Sequence, residues 1–257
     1  MTPCPLCGAA ATRPLPAYST PPWHLGACLS CGLVRLLDPP PYEALEEDLA
    51  WERTSEEKRA RGGSTALSGL NRRLRAALGL RAGRRADHRF LQWFGPGRVL
   101  DVGCGDRLRT APPIVPFGIE ISRALQARAD ALMRAQGGEC RLGAGAEAVW
   151  DFPEAHFDGV ILHSSLEHER DPLRLLTGVA RALKAGGRAY VRVPNYGSLN
   201  RRLIGARWCG FRHPDHVTYF TRATLWAMAE RAGLKPRLLN GARLPLDDNI
   251  QALLAKP

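Results

Sequence analysis

Two glycines, followed fifteen residues later by an acid, are the first residues in this chain whose types and spacing suggest chemistry. The run at 98–106 reads RVLDVGCGD, so a short apolar segment leads into Gly103 and Gly105. A second apolar run, PFGIEIS at 116–122, carries Glu120. Glycines let the backbone approach a bound molecule closely, and a carboxylate can accept two hydrogen bonds from a ribose diol. The pattern predicts a nucleoside site at the ends of two neighbouring strands.

Near the N-terminus, two Cys-x-x-Cys pairs separated by twenty residues predict a metal site. Its candidate ligands are Cys4, Cys7, Cys28 and Cys31. Four thiolates complete a closed tetrahedral shell around Zn²⁺ and leave no position for water, so we expect a structural zinc ribbon over 1–37. A unit this small has too little core to fold without its metal. An iron site, or cysteines spaced by coincidence, is the alternative.

Residues 38–94 are predicted to form a helical connector and lid. The run DPPP at 38–41 stops any regular element. Leucines recur at three- and four-residue steps between 67 and 78, which places them on one face of a helix within 67–94. Arginines crowd the other faces of this helix. The helix is therefore either a solvated cover for a sheet or a basic, anion-binding surface.

From residue 95 onward, apolar runs alternate with helical patterns. Strands are predicted at 98–102, 117–121, 140–142, 157–163, 188–193 and from 238 onward, with a further candidate at 217–220. Ser122 and Thr221 are predicted to cap helices, and the pair Asp171-Pro172 opens another. This alternation predicts an α/β fold with a Rossmann-like, doubly wound, mostly parallel sheet over 95–257.

The motifs along residues 85–240 resemble those of the class I S-adenosylmethionine (SAM) dependent methyltransferases. They are VLDVGCG, GIEIS, FDGVILH, LEH, RALKAGG and VRVPN, and they occur in that order. A dinucleotide-binding domain, the alternative, requires a third glycine and a pyrophosphate cradle that we do not find in the sequence. The combination with a zinc ribbon resembles a methyltransferase subgroup associated with modification of sugars and surface glycans.

The resemblance also implies which residues bind SAM. The methionine tail would lie against Asp101, Gly103 and Gly105, the ribose against Glu120 and Ile121, the adenine near Ala146 and Glu147, and the sulfonium above His163. The chain departs from the family at Arg107, which stands where a third glycine is usual. Because the proline-rich segment 106–116 is too short for a full helix, Arg107 or Arg109 could bind the SAM carboxylate in place of helix amides.

Candidate catalytic residues lie in the segment 208–220, which reads WCGFRHPDHVTYF. It follows the predicted strand at 188–193, on the rim where acceptors bind in the resembled family. Imidazole titrates near neutrality, so His216 or His213 could take the proton of a hydroxyl acceptor. Both histidines could instead only brace the loop.

The formal net charge of +11 raises the question of an anionic partner. RNA, a phosphorylated substrate or an anionic membrane surface would fit this charge, and an arginine-rich codon bias would produce it without any partner. No apolar run is long enough to span a bilayer, and the N-terminus lacks a basic-then-apolar signal segment. We therefore expect a cytoplasmic protein.

Together these patterns predict a SAM-dependent methyltransferase. Its acceptor would be a hydroxyl of a small molecule, such as a sugar, a glycan precursor or a related metabolite. One alternative is an RNA methyltransferase that grips phosphates with the ribbon and the arginine-rich helix. The other is a non-catalytic scaffold with a SAM-type fold.

Overall fold

The computed structural model describes residues 2–40, 86–241 and 246–257. Most of the predicted connector and lid, with its leucine repeat and all but the last of its arginines, lies outside these ranges. In the part of the chain that the structure describes, no helix is both long and apolar enough to cross a membrane.

The described residues form strands, α-helices and short 3₁₀ helices in alternation. The strands are β1 (Thr12–Pro14), β2 (Leu25–Cys28), β3 (Val34–Leu36), β4 (Arg98–Val102), β5 (Val115–Glu120), β6 (Glu139–Leu142), β7 (Phe157–His163), β8 (Leu183–Pro194), β9 (Thr218–Tyr219), β10 (Lys235–Leu238) and β11 (Asn249–Ala255). The α-helices are α1 (Ala86–Phe94), α2 (Arg123–Arg134), α3 (Gly145–Ala148), α4 (Pro172–Ala182), α5 (Leu199–Ile204) and α6 (Arg222–Arg231).

A seven-stranded sheet in the order β10-β11-β8-β7-β4-β5-β6 forms the centre of the protein. The five strands from β8 to β6 are parallel, which confirms the predicted Rossmann-like, mostly parallel fold. The prediction of a single late strand from residue 238 is wrong, because two strands, β10 and β11, occupy this region. Strand β11 runs antiparallel to both of its neighbours. Ten residues join β10 to β11, and a parallel pairing would need a longer crossover.

Strands β7 and β8 lie in the middle of the sheet and are buried on both faces, as expected for parallel strands covered by helices. Gly159 of β7 is required by helix packing. A Cβ at this position would lie 2.3 Å from the ring of Phe94, which packs from α1. Helix α1 therefore covers this face of the sheet at close range.

Three helix starts agree with the capping residues that the sequence predicts. Ser122 accepts a hydrogen bond from Leu125 N at 3.3 Å at the start of α2, and Asp171 accepts one from Arg174 N at 3.0 Å at the start of α4. Thr221 forms a capping box with Thr224 at the start of α6. These helices begin just after the carboxyl ends of strands or rim loops, and so fix the edge of the sheet where a ligand would bind.

The N-terminal region forms a second, four-stranded antiparallel sheet in the order β1-β2-β3-β9. Strand β9 belongs to the segment 208–220, called the rim segment below. The cysteine-containing N-terminal region and the rim segment therefore share one sheet. Leu36 N donates to Val217 O at 2.8 Å, and Arg231 of α6 donates to Leu6 O at 2.7 Å. The predicted strand at 217–220 therefore exists, but it completes the N-terminal sheet rather than the large one.

Candidate functional site

A cavity of about 590 Å³ opens at the carboxyl ends of β4, β5 and β7. This volume is typical of small-molecule sites. The following residues predicted from the sequence line the cavity: Gly103, Gly105, Arg107, Glu120, Ile121, His163 and His216. The other predicted site residues, Asp101, Ala146, Glu147 and His213, lie outside its lining.

Glu120 and the glycine turn form one hydrogen-bonded unit. Gly105 has φ +65, a conformation that favours glycine, and its N–H donates to Glu120 Oε2 at 2.8 Å. Ser122 N donates to Glu120 Oε1 at 3.0 Å. The carboxylate is buried, with a residue exposure of 5%, and it lines the cavity. Each oxygen keeps further acceptor capacity, so the group can still receive a diol.

Asp101 lies behind the cavity wall and forms an ion pair with Arg109. Arg109 Nε lies 2.8 Å from Asp101 Oδ2, and Arg109 itself lines the cavity. Burial raises the pKa of Asp101 to about 6, although the guanidinium acts in the opposite direction. Asp101 therefore contacts the cavity through Arg109, which it holds in place.

The segment between Gly103 and Ile114 is described throughout and contains no helix, in agreement with its proline content. The side chain of Arg107 is 83% exposed at the mouth of the cavity, and its Nε lies 4.0 Å from Asp106 Oδ1. Arg107 and Arg109 are the two arginines predicted to bind the SAM carboxylate. Arg109 is already paired with Asp101, so Arg107 is the more accessible of the two.

At the predicted adenine side, the cavity is lined by Gly143, Ala144 and Gly145. Ala146 is buried outside the lining, and the exposed carboxylate of Glu147 lies 2.8 Å from Arg174 Nη2. This placement does not agree with the contacts predicted for these two residues. Residues two positions apart on a helix point about 200° apart, so Glu147 of α3 faces away from the side that Gly145 presents.

His163 ends β7 and lines the cavity beside Arg192 of β8. Arg192 Nη1 donates to His163 Nε2 at 3.1 Å and to Ser164 Oγ at 3.2 Å. Burial, together with the neighbouring Arg109 and Arg192, lowers the pKa of His163 to about 4. His163 is therefore neutral, which suits a position predicted to lie near a sulfonium. Arg192 belongs to no motif that marks it as a site residue, although parallel pairing of β7 with β8 sets it opposite His163.

The structure separates the two histidines of the rim segment. His216 is buried against the cavity, and its Nδ1 donates to Gly210 O at 2.8 Å. Burial, with a contribution from His168, lowers the pKa of His216 to about 3. His213 Nε2 donates to Tyr18 O at 3.2 Å, and its Nδ1 accepts from Tyr219 OH at 3.1 Å. Both ring nitrogens of His213 are engaged in bracing the loop against the N-terminal unit, so it does not reach the cavity.

Two further titratable residues, both missed as functional candidates, lie at the same end of the cavity as His216. Glu167 and His168 belong to a 3₁₀ helix, Leu166–His168, directly after β7. Glu167 is only 1% exposed, and burial raises its pKa to about 8. The triplet LEH belongs to one of the sequence motifs, but no periodicity in the sequence distinguishes this buried acid from a surface one.

The four predicted zinc ligands come together as a cluster. Cys4 Sγ lies 3.5 Å from Cys31 Sγ, and Cys7 Sγ lies 3.5 Å from Cys28 Sγ. All four sulfurs lie within 4.8 Å of one another. Zinc–sulfur bonds of about 2.3 Å in a tetrahedron place the sulfurs about 3.8 Å apart. The donor set and its spacing therefore fit one Zn²⁺ ion that links the two turns.

A family profile described as a methyltransferase domain matches residues 70–239, and the chain belongs to this family. It is 30% identical over 155 residues to a ubiquinone biosynthesis O-methyltransferase of Ruegeria sp. (strain TM1040), a match that covers 56% of this chain and 62% of the relative. It is 33% identical over 130 residues to a 27-O-demethylrifamycin SV methyltransferase of Amycolatopsis mediterranei (strain S699), which covers 48% of this chain and 43% of the relative. The chain thus spans less than two thirds of the length of these curated relatives.

Solved structures show the same fold. A SAM-dependent methyltransferase from Mesorhizobium loti superposes with a TM-score of 0.52 at 17% identity, over 66% of this chain and 96% of the other. One from Archaeoglobus fulgidus gives a TM-score of 0.50 at 16% identity, over 66% and 90%. The large sheet and its flanking helices are those of a Rossmann-like class I methyltransferase.

Proposed function

We propose that this protein is a SAM-dependent methyltransferase that methylates a hydroxyl oxygen of a small organic molecule. The observation that carries the proposal is the buried Glu120 carboxylate, bonded to the turn at Gly105 and lining a cavity at the carboxyl ends of parallel strands. Family membership and the two relatives, whose names describe O-methylation of small molecules, support it. A sugar or glycan precursor as acceptor is a narrower proposal that rests on the resemblance to ribbon-containing methyltransferases.

The residues around the cavity fit SAM group by group. Glu120 can accept both ribose hydroxyls, and the backbone at 103–105, which lines the cavity, would contact the methionine tail. The adenine would lie against 143–145. Bound SAM would supply an electrophilic methyl group on a sulfonium. The task of the protein is then to hold the acceptor oxygen in line in a site that excludes water.

At the acceptor end, His216 is the predicted catalytic histidine that remains at the cavity. Because its Nδ1–H is donated to Gly210 O, Nε2 is the basic nitrogen. His216 would thus handle the hydroxyl proton, either directly as a base or through an ion that it binds. His213 has a structural role in this proposal.

Three functional parts are proposed along the chain. Residues 1–37 would be a structural zinc ribbon held by its four cysteines, 38–94 a connector and lid, and 95–257 the SAM-binding methyltransferase domain. The shared strand pairing of β3 with β9 supports a ribbon that stabilises the acceptor-side rim. A cytoplasmic location stays a prediction.

Turnover of SAM tests the proposal. Protein incubated with SAM and a panel of phenols, sugars and other small alcohols should release S-adenosylhomocysteine with at least one pool. His216→Ala should lower that rate by about 10²–10⁴. A parallel incubation replaces the small molecules with RNA. Release of S-adenosylhomocysteine only with RNA would favour the RNA methyltransferase. SAM binding without turnover of either the small molecules or RNA would favour the scaffold.

Arg107 allows a sharper test of how the methionine tail is held. We expect Arg107→Ala to weaken SAM binding about two- to fivefold, because an exposed guanidinium contributes only modestly to the binding of a carboxylate. Binding of methylthioadenosine, which lacks the amino acid tail, should not change. Calorimetric titration of both ligands measures the difference.

Arg128→Ala is the matched control for this experiment. Arg128 is also exposed and also lies near Asp106, with Nη1 3.8 Å from Oδ2, but it is outside the cavity lining. Equal losses for both ligands, or the same loss in Arg128→Ala, would show that Arg107 acts through general charge or through the fold.

A further inference from the structure

Three metal-ligand side chains converge at the acceptor end of the cavity, far along the chain from the four cysteines. Glu167 and His168 follow β7, and His216 comes from the rim segment before β9. One candidate ligand atom from each lies within 4.8 Å of the other two. All three residues line the cavity, so an ion held between them would face a bound molecule.

Hydrogen bonds orient both imidazoles for ligation. His168 Nδ1 lies 2.7 Å from Asp215 O, and His216 Nδ1 lies 2.8 Å from Gly210 O. A carbonyl oxygen can only accept, so each ring carries its proton on Nδ1 and its lone pair on Nε2. Metal-binding histidines commonly donate their second nitrogen to a backbone carbonyl in this way. Two separate loops thus fix the same tautomer at one point.

The carboxylate supplies a second, independent observation. Glu167 is 1% exposed, and its Oε2 has no hydrogen-bond partner among the described residues. Leaving a carboxyl oxygen buried and unsatisfied is costly whether or not the group carries a proton. The nearby arginines have other partners, since Arg192 donates to His163 and Arg212 pairs with Asp215 at 3.6 Å. A cation between Glu167 and the two rings would satisfy this oxygen.

We propose that Glu167, His168 and His216 bind a divalent first-row transition metal that receives the acceptor hydroxyl, an inference that rests on the proposed function. Two imidazoles and one carboxylate favour Zn²⁺, Co²⁺, Ni²⁺ or Fe²⁺ over Mg²⁺ and Ca²⁺. Three protein ligands leave coordination positions open toward the cavity, in contrast to the closed four-cysteine site.

The chemical role of the ion follows from these open positions. A hydroxyl oxygen bound to the ion becomes more acidic. Its O–H bond breaks with the electron pair remaining on oxygen, and the proton passes to solvent water through the open cavity as the acceptor binds, before water is excluded. The acceptor is then held as an alkoxide or phenolate at the cavity end that His216 lines. Acceptors with two adjacent oxygens would bind best, because both could occupy open positions.

Cobalt binding tests the site without any need for the substrate. Protein whose ribbon retains its zinc is titrated with Co²⁺ by calorimetry and by visible absorption. We expect one additional equivalent with the weak absorption of nitrogen and oxygen ligands, and no intense thiolate bands. Glu167→Gln and His216→Gln should each weaken this binding by at least about tenfold. His213→Gln, on the same rim segment but outside the cavity, should bind Co²⁺ as the wild type does.

Two results would overturn the inference. One is the lack of additional Co²⁺ binding by the wild type, and the other is unchanged binding in both ligand variants. Thermal melting confirms that each variant is folded, and if one ligand variant fails to fold, the other decides. SAM is titrated in the same preparations. SAM binding without metal binding would reject only the metal site and leave His216 as a metal-free base, whereas failure of SAM to bind would reject the proposed function itself.

Discussion

The variant Cys28→Ser, Cys31→Ser is expected to lose its zinc and, with it, the four-stranded N-terminal sheet. The sulfur cluster links two turns whose own apolar core is small, and zinc binding in comparable small domains is worth about 10–16 kcal/mol at neutral pH. Because β9 pairs with β3, we expect the loss to spread to the rim segment that carries His216. Elemental analysis measures the zinc, and limited proteolysis measures the exposure of the N-terminal region and the rim.

The matched control is Cys209→Ser, which removes an exposed thiol outside the cluster and should keep one zinc per chain. Chelation of the wild-type protein should reproduce the proteolysis pattern of the double variant. Full zinc retention by the double variant, or a gently purified wild type without zinc, would contradict a structural zinc site.

Substitution of Glu120 should have the largest effect on SAM binding. We expect Glu120→Ala to weaken SAM binding by about 1.5–3 kcal/mol, roughly ten- to 150-fold, the range for a lost hydrogen bond to a charged group. The substitution removes the acceptor for the ribose, and it also leaves Gly105 N and Ser122 N without their carboxylate. Glu120→Gln keeps one acceptor oxygen, so its SAM affinity should lie between those of the wild type and Glu120→Ala. Calorimetric titration with SAM measures all three proteins.

Glu147→Ala is the control for this series. Glu147 is also an acid, but it is exposed, lies outside the cavity lining and pairs with Arg174. We expect its SAM affinity to equal that of the wild type. A large loss of SAM affinity in Glu147→Ala would support the predicted contact between Glu147 and the adenine. Unchanged SAM affinity in Glu120→Ala would mean that the ribose binds elsewhere.

Part of the arginine excess has a role inside the protein. Arg201 lies with Cζ 4.3 Å from the ring centre of Tyr196, and Arg141 lies 3.9 Å from that of Phe152. Arg231 of α6 donates to Leu6 O in the N-terminal region, and Arg192 holds the end of β7. Such arginines stack and bond in ways that lysine cannot reproduce. The net charge of +11 therefore does not by itself require a nucleic-acid partner.

The sequence predicts best those features that depend on residues close together in the chain, such as strand bounds and helix caps. The strand at 98–102 is correct to the residue, and the cap Ser122 is correct because the hydroxyl reaches an amide three positions on. Glu120 and Gly105 could be paired from their place at the ends of adjacent parallel strands. The cysteine cluster was predictable because its two Cys-x-x-Cys turns each supply two sulfurs to one point.

Contacts between distant segments could not be derived in this way. Nothing in the local sequence shows that Tyr18 holds His213 away from the cavity, because Tyr18 comes from the other end of the chain. The buried Glu167 looks like any helix-start acid until β9 and the rim close over it. Strand β11 inserts between β8 and β10 by tertiary pairing, and its apolar pattern fits either direction.

Titration of the wild-type protein with SAM, by calorimetry, is the most direct test of the central claim that this cavity binds the methyl donor. A saturable isotherm with one site per chain is expected, and S-adenosylhomocysteine should compete for the same site. Glu120→Ala should shift that isotherm, and Glu147→Ala should not. A folded, zinc-containing protein that binds neither SAM nor S-adenosylhomocysteine would contradict the proposed function.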